Sequence, residues 1–395
     1  MLLLGPAFVA AVAYVDPGNF AANFSAGAQY GYALLWVLVV ANLMASLVQY
    51  LSAKVGLVTG MSLPEVIAEK LGRKSRIAYW LQAEAVAVST DLAEVIGGAI
   101  ALNILFGLPL ITGALITGIV SLLLLIIYTR RGQRVFERII VGLLLIIPIG
   151  FFAGLFIQPP DMGGIVSGLI PQLRDADMVL LAAAMLGATV MPHVVYLHSA
   201  LSRDRHGKSE KLELKKLLKA TKIDVGLAMV LAGSVNISML LLAASALSGE
   251  PGTDSLEGIF AALGNNISPV IAGLFGLSLL VSGFASTTVG AHAGAVIMDG
   301  MLKRSIPLLV RRVITIIPAV VIVGFGIDPT QALIISQVIL SFGIPFALIP
   351  LLMVTSNKKI MGDAVNSKLI IVLLGMITGV IVVLNFALIW LTFIK

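Results

Sequence analysis

The sequence predicts an all-α membrane protein that crosses the bilayer eleven times. Three observations predict this class: 59% of the 395 residues are hydrophobic, only 12% are charged, and the mean hydropathy is +1.05. A soluble domain carries roughly 25% charged residues, so too few are present here to cover a water-soluble core. Because open sheet edges cannot face lipid, a regular succession of strands is not an alternative.

Eleven apolar segments are long enough for the about 20 residues that a spanning helix needs. They lie near residues 4–28, 31–53, 77–105, 108–129, 139–158, 178–201, 221–248, 268–299, 306–326, 330–355 and 368–394. No separate soluble domain is recognisable between them, so we treat residues 1–395 as a single transmembrane domain. The chain contains no cysteine, which excludes disulfides and thiolate ligands.

The distribution of basic residues predicts the orientation in the membrane. Nearly all of the 26 Lys and Arg residues fall in every second connection, at 54–76, 130–138, 203–222, 303–312 and 358–368. Basic loops stay on the cytoplasmic side, so we expect a plasma-membrane protein with a cytoplasmic N-terminus and an extracellular C-terminus. The pI of about 9.5 therefore reports topology and gives no support for a nucleic-acid partner.

Two of the eleven segments are interrupted near their middle. The first contains AYVDPGNFAAN, residues 13–23, and the sixth contains AAAMLGATVMPHVVYLHSA, residues 182–200. Each interrupted segment opens one half of the chain, at 1–158 and 178–355, and 368–394 follows as an extra segment. Matching interruptions indicate an inverted-repeat transporter with its site at the midplane. Ordinary proline kinks are the alternative, although a kink does not require a carboxylate beside it, and an intramembrane Asp suggests function.

The two interruptions also carry motifs that resemble a known family. Asp16-Pro17-Gly18-Asn19 and Met191-Pro192-His193 are similar to the two signatures of the Nramp family of proton-coupled divalent-metal transporters. The resemblance covers essentially the whole chain. It implies a LeuT-like fold of five plus five plus one helices, in which helices 1 and 6 are unwound at the midplane.

The same resemblance implies a set of metal ligands. They are the Asp16 carboxylate, the Asn19 amide oxygen, the Ala188 backbone carbonyl and the Met191 thioether. Three oxygens alone would suit Ca²⁺ or Mg²⁺. The soft sulfur favours Mn²⁺, Fe²⁺, Co²⁺ or Cd²⁺ in relative terms. We expect the metal to be cargo, with no resident cofactor.

The third segment places three carboxylates on one face. Within LQAEAVAVSTDLAEVIGGAIAL, Glu84, Asp91 and Glu94 fall within about 80° of one another on a helix. Such a face is costly in a membrane unless it meets water or cations, and Arg311 and Arg312 are the candidate partners. The resemblance places these five residues in a polar network from the metal site to the cytoplasm. The alternative is a structural ion-pair network in which the arginines are membrane anchors.

The remaining candidates are polar residues near the same segments. His193 and His198 lie five residues apart, so they do not share a helix face, and each is either a proton relay or a packing histidine. The family pattern places four more polar residues around the site and the outer gate: Asn42, Thr189, Asn236 and Gln337.

Secondary active import of Mn²⁺ or Fe²⁺ with protons is the function that these observations favour. The sequence contains no G-x-x-x-x-G-K-[ST] signature for ATP, so an ion gradient is the expected energy source. One alternative is a LeuT-fold transporter of a small organic solute. A second is an intramembrane metalloenzyme, although no H-E-x-x-H cluster is present. We expect a monomer that binds divalent metal ions, protons and the lipid bilayer, and that is not an enzyme.

Overall fold

The computed structural model describes residues 5–206, 211–303 and 306–393, and its regular structure there is entirely helical. The outermost residues of the predicted first and last segments, 4 and 394, lie outside the described ranges. The helices are α1 (Pro6–Ala13), α2 (Pro17–Tyr30), α3 (Leu35–Thr59), α4 (Leu63–Lys70), α5 (Arg73–Phe106), α6 (Leu110–Arg131), α7 (Gln133–Ile157), α8 (Met162–Gly168), α9 (Ala176–Thr189), α10 (Pro192–His206), α11 (Lys211–Ala246), α12 (Leu256–Asn266), α13 (Pro269–Leu302), α14 (Leu308–Gly324), α15 (Pro329–Thr355), α16 (Lys358–Met361) and α17 (Lys368–Phe393), with a 3₁₀ turn at Gly362–Ala364.

The prediction of an all-helical membrane bundle is confirmed for the described residues. Nine helical segments among them are long and apolar enough to cross a membrane. Of the remaining predicted segments, the first consists of two shorter helices and the ninth, α14, has 17 residues. The count of eleven spans therefore stays a prediction.

The helix ends differ from the apolar boundaries in the sequence. Helix α5 begins at Arg73 and α11 at Lys211, several residues before the apolar run that each contains. Lys and Arg are good helix formers, so a helix can include the basic residues that precede its apolar part. Hydropathy marks the apolar part of each helix and not its full length.

Both interruptions are present and both are explained by proline. Tyr14, Val15 and Asp16 separate α1 from α2, and Pro17 occupies the first position of α2. Val190 and Met191 separate α9 from α10, which likewise begins with a proline. Proline has no backbone N–H and is tolerated at the first position of a helix, where that donor would have no helical partner.

Aromatic and small residues hold the first interrupted segment against the rest of the bundle. Phe20 and Phe24 of α2 pack against Phe151 of α7 and Phe275 of α13, with ring centroids 5.0–6.0 Å apart. Helices α5 and α13 approach through glycine: a Cβ added to Gly283 would lie 2.9 Å from the Cα of Gly98. This packing fixes the interrupted segment beside α5, which carries the three acidic residues.

Candidate metal site

The interruption between α9 and α10 releases the backbone carbonyl of Ala188 from its helical hydrogen bond. In an uninterrupted helix the N–H of residue 192 would bond the carbonyl four residues earlier, which is that of Ala188. Residue 192 is proline and has no N–H, so the Ala188 carbonyl instead accepts a hydrogen bond from Asn19 Nδ2 at 3.1 Å. The sixth segment thus presents a backbone oxygen to the first segment at the point where both are interrupted.

The carbonyls freed at the first interruption have side-chain partners. Asn236 of α11 donates to the Tyr14 carbonyl at 2.6 Å, and Ser282 of α13 donates to the Val15 carbonyl at 2.5 Å. These two oxygens are therefore occupied. What the first segment offers to the centre of the bundle is the side chains of Asp16 and Asn19.

Asp16, Asn19 and the Ala188 carbonyl meet at one point. Asp16 precedes α2, and its Oδ1 accepts from the backbone N–H of Asn19 at 2.8 Å and from Asn19 Nδ2 at 2.9 Å. The same amide nitrogen bonds the Ala188 carbonyl, so two oxygens face a single donor group. Asp16 Oδ2 and Asn19 Oδ1 have no hydrogen-bond partner among the described residues.

Met191, the fourth proposed ligand, lies at the second interruption. Its side chain, like those of Asp16 and Asn19, is 0% exposed, so solvent does not reach any of the four proposed ligands. A buried carboxylate oxygen and a buried amide oxygen without partners are costly. A cation bound between the two interruptions would satisfy both of these oxygens.

The proposed site is not a cluster of acidic or imidazole side chains. Among residues 5–206, 211–303 and 306–393, no group of three His, Cys, Asp or Glu side chains could hold a metal ion together. The proposed ligand set contains one carboxylate, and its other members are an amide, a backbone carbonyl and a thioether. The proline interruptions are the sequence signal that can find such a site.

The four auxiliary candidates are placed differently relative to the site. Gln337 of α15 packs on both interrupted segments. A Cβ added to Gly18 would lie 1.9 Å from the side-chain Nε2 of Gln337, and one added to Gly187 would lie 2.0 Å from its backbone carbonyl oxygen. Asn236 bonds the Tyr14 carbonyl. Thr189 donates within its own helix to the Met185 carbonyl at 2.7 Å. Asn42 packs over Gly233 of α11.

The acidic face of α5 meets the two arginines of α14. Arg311 donates to Glu84 and to the Ala291 carbonyl, and Arg312 donates to Asp91. Thr287 of α13 also donates to Asp91 Oδ1, at 3.0 Å, and accepts from Arg312 Nη2 at 2.8 Å. Arg312 is 0% exposed, so this pair lies fully inside the bundle.

Glu94, the third acid on this face, forms no ion pair with an arginine in the part of the chain that the structure describes. It is 0% exposed, and neither carboxylate oxygen accepts a hydrogen bond within the described residues; the hydroxyl of Ser286 is nearby without completing one. Space for the carboxylate exists because residue 290 is glycine, where a Cβ would lie 2.5 Å from Glu94 Oε2. Asp16 and Asp91 both lie within electrostatic reach of Glu94, so this carboxylate is near one proposed metal ligand and one ion pair.

The two histidines have separate partners, as their spacing predicts. His193 Nδ1 lies 3.2 Å from Thr90 Oγ1, and Thr90 gives its own hydrogen to the Val86 carbonyl. The hydroxyl therefore accepts, which assigns the proton of the neutral ring to Nδ1 and leaves Nε2 as an acceptor without a partner among the described residues. His198 Nδ1 lies 2.8 Å from Gln49 Oε1. Within the described parts of the chain, the two rings have no hydrogen-bond partner in common.

Sequence reasoning missed the residues that connect these groups. Gln49 links His198 to the hydroxyl of Tyr14. Thr287 links Asp91 to Arg312. Each lies on a different helix from its partners, and a single polar residue in a span carries no signal for such pairing. Among these residues only Tyr14 carried a signal in the sequence, because it adjoins the first interruption.

The fold and the two interruptions define the class of protein. A crystal structure of a manganese transporter from Eremococcus coleocola matches with a TM-score of 0.87 and 31% identity, covering 99% of this chain and 86% of that one. MhsT in complex with L-phenylalanine matches with a TM-score of 0.66 at 15% identity, covering 97% and 98% of the two chains, which shows a shared fold only. The chain is a multi-pass membrane protein with the fold that these two proteins share.

The chain belongs to the Nramp family. The family model described as natural resistance-associated macrophage protein-like matches residues 7–391. A relative from Mycobacterium tuberculosis named divalent metal cation transporter MntH is 56% identical, covering 99% of this chain and 91% of its own length. A relative of the same name from Bacillus subtilis is 49% identical, covering 99% and 92%. The predicted family resemblance is confirmed.

Proposed function

We propose that this chain imports Mn²⁺ or Fe²⁺, and also accepts Cd²⁺ and Co²⁺, together with protons. Transport of a divalent metal cation is the activity named in relatives that are 49–56% identical over almost the whole chain. Those relatives are named as transporters, which argues against the intramembrane metalloenzyme. The metal is cargo in this proposal, held by Asp16, Asn19, Ala188 and Met191.

One observation carries the assignment of the metal site. The carbonyl that Pro192 releases and the carboxylate that precedes Pro17 face the same amide group, at 3.1 and 2.9 Å from its nitrogen, respectively. Rotating the Asn19 amide by half a turn would exchange that nitrogen for Oδ1 and bring three oxygens together around one point. A divalent cation would replace the amide hydrogens as the partner of Asp16 and Ala188.

The Met191 thioether is the proposed source of selectivity. Oxygen ligands alone would favour Ca²⁺ and Mg²⁺, which far exceed transition metals in abundance. A sulfur ligand contributes little to these hard ions and more to Mn²⁺, Fe²⁺ or Cd²⁺. The proposed site therefore discriminates better between metals and has a lower affinity for hard ions such as Ca²⁺ and Mg²⁺.

The acids of α5 are the proposed proton route. Glu94 lies within electrostatic reach of Asp16, and the pairs Asp91–Arg312 and Glu84–Arg311 continue from it along α5 and α14. His193 adjoins this face through Thr90. A proton leaving the metal site would thus meet alternating acids and arginines. A purely structural ion-pair network predicts no proton movement when metal enters.

The proposal includes the arrangement in the membrane. We expect two inverted repeats, 1–158 and 178–355, with 368–394 as an extra helix, in a plasma-membrane monomer with a cytoplasmic N-terminus and an extracellular C-terminus. The natural absence of cysteine makes the orientation simple to test. A single cysteine at Lys359 should be protected from a membrane-impermeant thiol reagent in intact cells, whereas one at Asp161 should react.

Uptake into sealed proteoliposomes tests the function. Purified protein is reconstituted with a Mn²⁺-quenched dye inside, and in parallel with a pH-sensitive dye. The proposal expects Mn²⁺ entry that increases with an inward proton gradient, together with internal acidification evoked by Mn²⁺. Na⁺-driven entry of an organic solute without Mn²⁺ entry would favour the alternative transporter. Mn²⁺ entry that never acidifies the interior would overturn the proton coupling and leave the metal site standing.

A further inference from the structure

A cavity of about 480 Å³ lies at the basic end of the bundle, where α5 begins and α13 ends. Its volume falls within the about 300–1,000 Å³ typical of pockets for organic ligands. Two arginines and four apolar or aromatic residues line it: Arg73, Arg76, Ile77, Trp80, Met301 and Leu302. The proposed metal ligands and acids do not contribute to it.

The positive charge in this cavity is not neutralised by the described residues. Neither Arg73 nor Arg76 forms an ion pair there, whereas Arg311 and Arg312 each contact a carboxylate. The Nε of Arg76 is shielded from solvent and has no hydrogen-bond acceptor. The first turn of α5 contains no acidic residue, and Gly72 provides no capping side chain. Two arginines beside the positive end of a helix favour a bound anion.

The other side of the cavity is apolar and continues onto the surface that faces lipid. Ile77 is 40% exposed and Leu81, one turn further along α5, is 55% exposed. The indole Nε1 of Trp80 is shielded from solvent without an acceptor. Tryptophan is enriched where a membrane protein meets the headgroup region, since its ring is apolar and its N–H needs a polar partner.

We propose that this cavity binds an anionic phospholipid, such as phosphatidylglycerol, from the leaflet on the basic side of the protein. The phosphate contacts Arg73 and Arg76, the indole N–H of Trp80 donates to a headgroup or ester oxygen, and an acyl chain follows Ile77 and Leu81. Basic pockets between membrane helices on the cytoplasmic side are suited to anionic headgroups. A free phosphate would use the arginines and leave the apolar half of the cavity without a partner.

Trp80 can report the bound lipid because the other two tryptophans lie at the opposite end of the bundle. Trp36 is in the first turn of α3, whose other end carries Lys54, and Trp390 is near the end of α17, which begins at Lys368. Replacing both by phenylalanine in the full chain leaves Trp80 as the only indole. Its fluorescence is measured in vesicles of phosphatidylcholine that contain increasing fractions of brominated phosphatidylglycerol or brominated phosphatidylcholine.

The expected result is saturable quenching that favours the anionic lipid. Each basic residue near an anionic lipid contributes about a fivefold preference, so two arginines predict about a twenty-five-fold preference. Arg73→Gln/Arg76→Gln should abolish the preference. The matched control Lys70→Gln/Lys74→Gln removes the same charge from residues outside the cavity and should retain it. If the double arginine variant does not fold, Arg73→Gln alone against Lys74→Gln should show about a fivefold difference.

Three results would overturn the proposal. Equal quenching by the two brominated lipids would mean that the cavity does not select an anionic lipid. Equal loss of the preference in the arginine and lysine variants would mean that only the surface charge matters. Reversal of the quenching by millimolar inorganic phosphate would mean that the cavity is a site for small anions. None of these readouts depends on metal transport, so the test is independent of the proposed function.

Discussion

Replacing Met191 by leucine should change which metals the protein binds without unfolding it. The side chain is 0% exposed, and leucine keeps its approximate volume, so the cost to the free energy of unfolding should stay below about 1.5 kcal/mol. Alanine at the same position would leave a cavity and cost about 2–5 kcal/mol. The leucine variant therefore isolates the sulfur, and the alanine variant adds space for a water molecule.

The magnitude follows from the composition of the site. Losing a residue that merely orients a metal ligand costs about 10–100-fold in affinity, so losing a direct ligand should weaken Cd²⁺ binding at least tenfold. Three oxygens remain in both variants. The affinity for Ca²⁺ should not fall in either variant. In Met191→Ala it should rise, because a water oxygen is a better partner for Ca²⁺ than sulfur. The change in affinity for Mn²⁺ should lie between those for Cd²⁺ and Ca²⁺.

Calorimetric Cd²⁺ titration and Mn²⁺ uptake with and without millimolar Ca²⁺ are the assays. We expect weaker Cd²⁺ binding in both variants and new competition by Ca²⁺ in Met191→Ala. Thermal unfolding of the same preparations separates a change of ligand from a loss of structure. Unchanged Cd²⁺ affinity together with absent Ca²⁺ competition would refute the reasoning, since Met191 would then be a core residue without a role in selectivity.

Three further predictions concern the acids and their partners. Glu94→Gln should leave Cd²⁺ affinity nearly intact and impair metal-evoked acidification; equal loss of both in liposome assays would assign it a structural role. Arg312→Ala should lower the free energy of unfolding by about 3–5 kcal/mol, because it leaves the Asp91 carboxylate without its cation inside the bundle. The double variant Asp91→Asn/Arg312→Gln should recover most of this stability in thermal unfolding. Equal melting temperatures of Arg312→Ala and the parent would contradict the prediction. In α4, burial opposes a lower pKa for Glu65, but hydrogen bonds from Ser62 and the charge of Arg203 outweigh it and lower the pKa. Stability from this carboxylate, up to about 1 kcal/mol, is therefore present at neutral pH and lost as pH falls through the lowered pKa. The difference in melting temperature between parent and Glu65→Gln should vanish in acid, and a constant difference would contradict this.

Local chemistry explains why the two interruptions were predictable from sequence, whereas the four proposed ligands came from the family resemblance. In the structure, Pro192 has no N–H, so the Ala188 carbonyl four residues earlier has no helical partner. Asp16 was also conspicuous in the sequence, because a carboxylate within an apolar segment suggests function, whereas one in a surface loop does not. Periodicity placed Glu84, Asp91 and Glu94 on one face, and the structure pairs two of them with Arg311 and Arg312.

Contacts between remote segments were not predictable in the same way. Gln337 contacts both interrupted helices because Gly18 and Gly187 leave it space, and nothing in its own segment indicates that approach. Gln49 reaches Tyr14 and His198 only once α3 packs beside both interrupted segments. Such contacts depend on the packing of whole helices, which a hydropathy pattern does not determine.

The most direct test of the metal site is Mn²⁺ uptake by Asp16→Asn in proteoliposomes. The substitution keeps the shape of the side chain and removes the only charge placed against the cation. Asp161→Asn, which removes an exposed carboxylate that precedes α8, is the control. We predict uptake at the level of empty vesicles for Asp16→Asn, at the parental rate for Asp161→Asn, and the parental melting temperature or higher for Asp16→Asn. Parental Mn²⁺ uptake by folded Asp16→Asn protein would contradict the assignment.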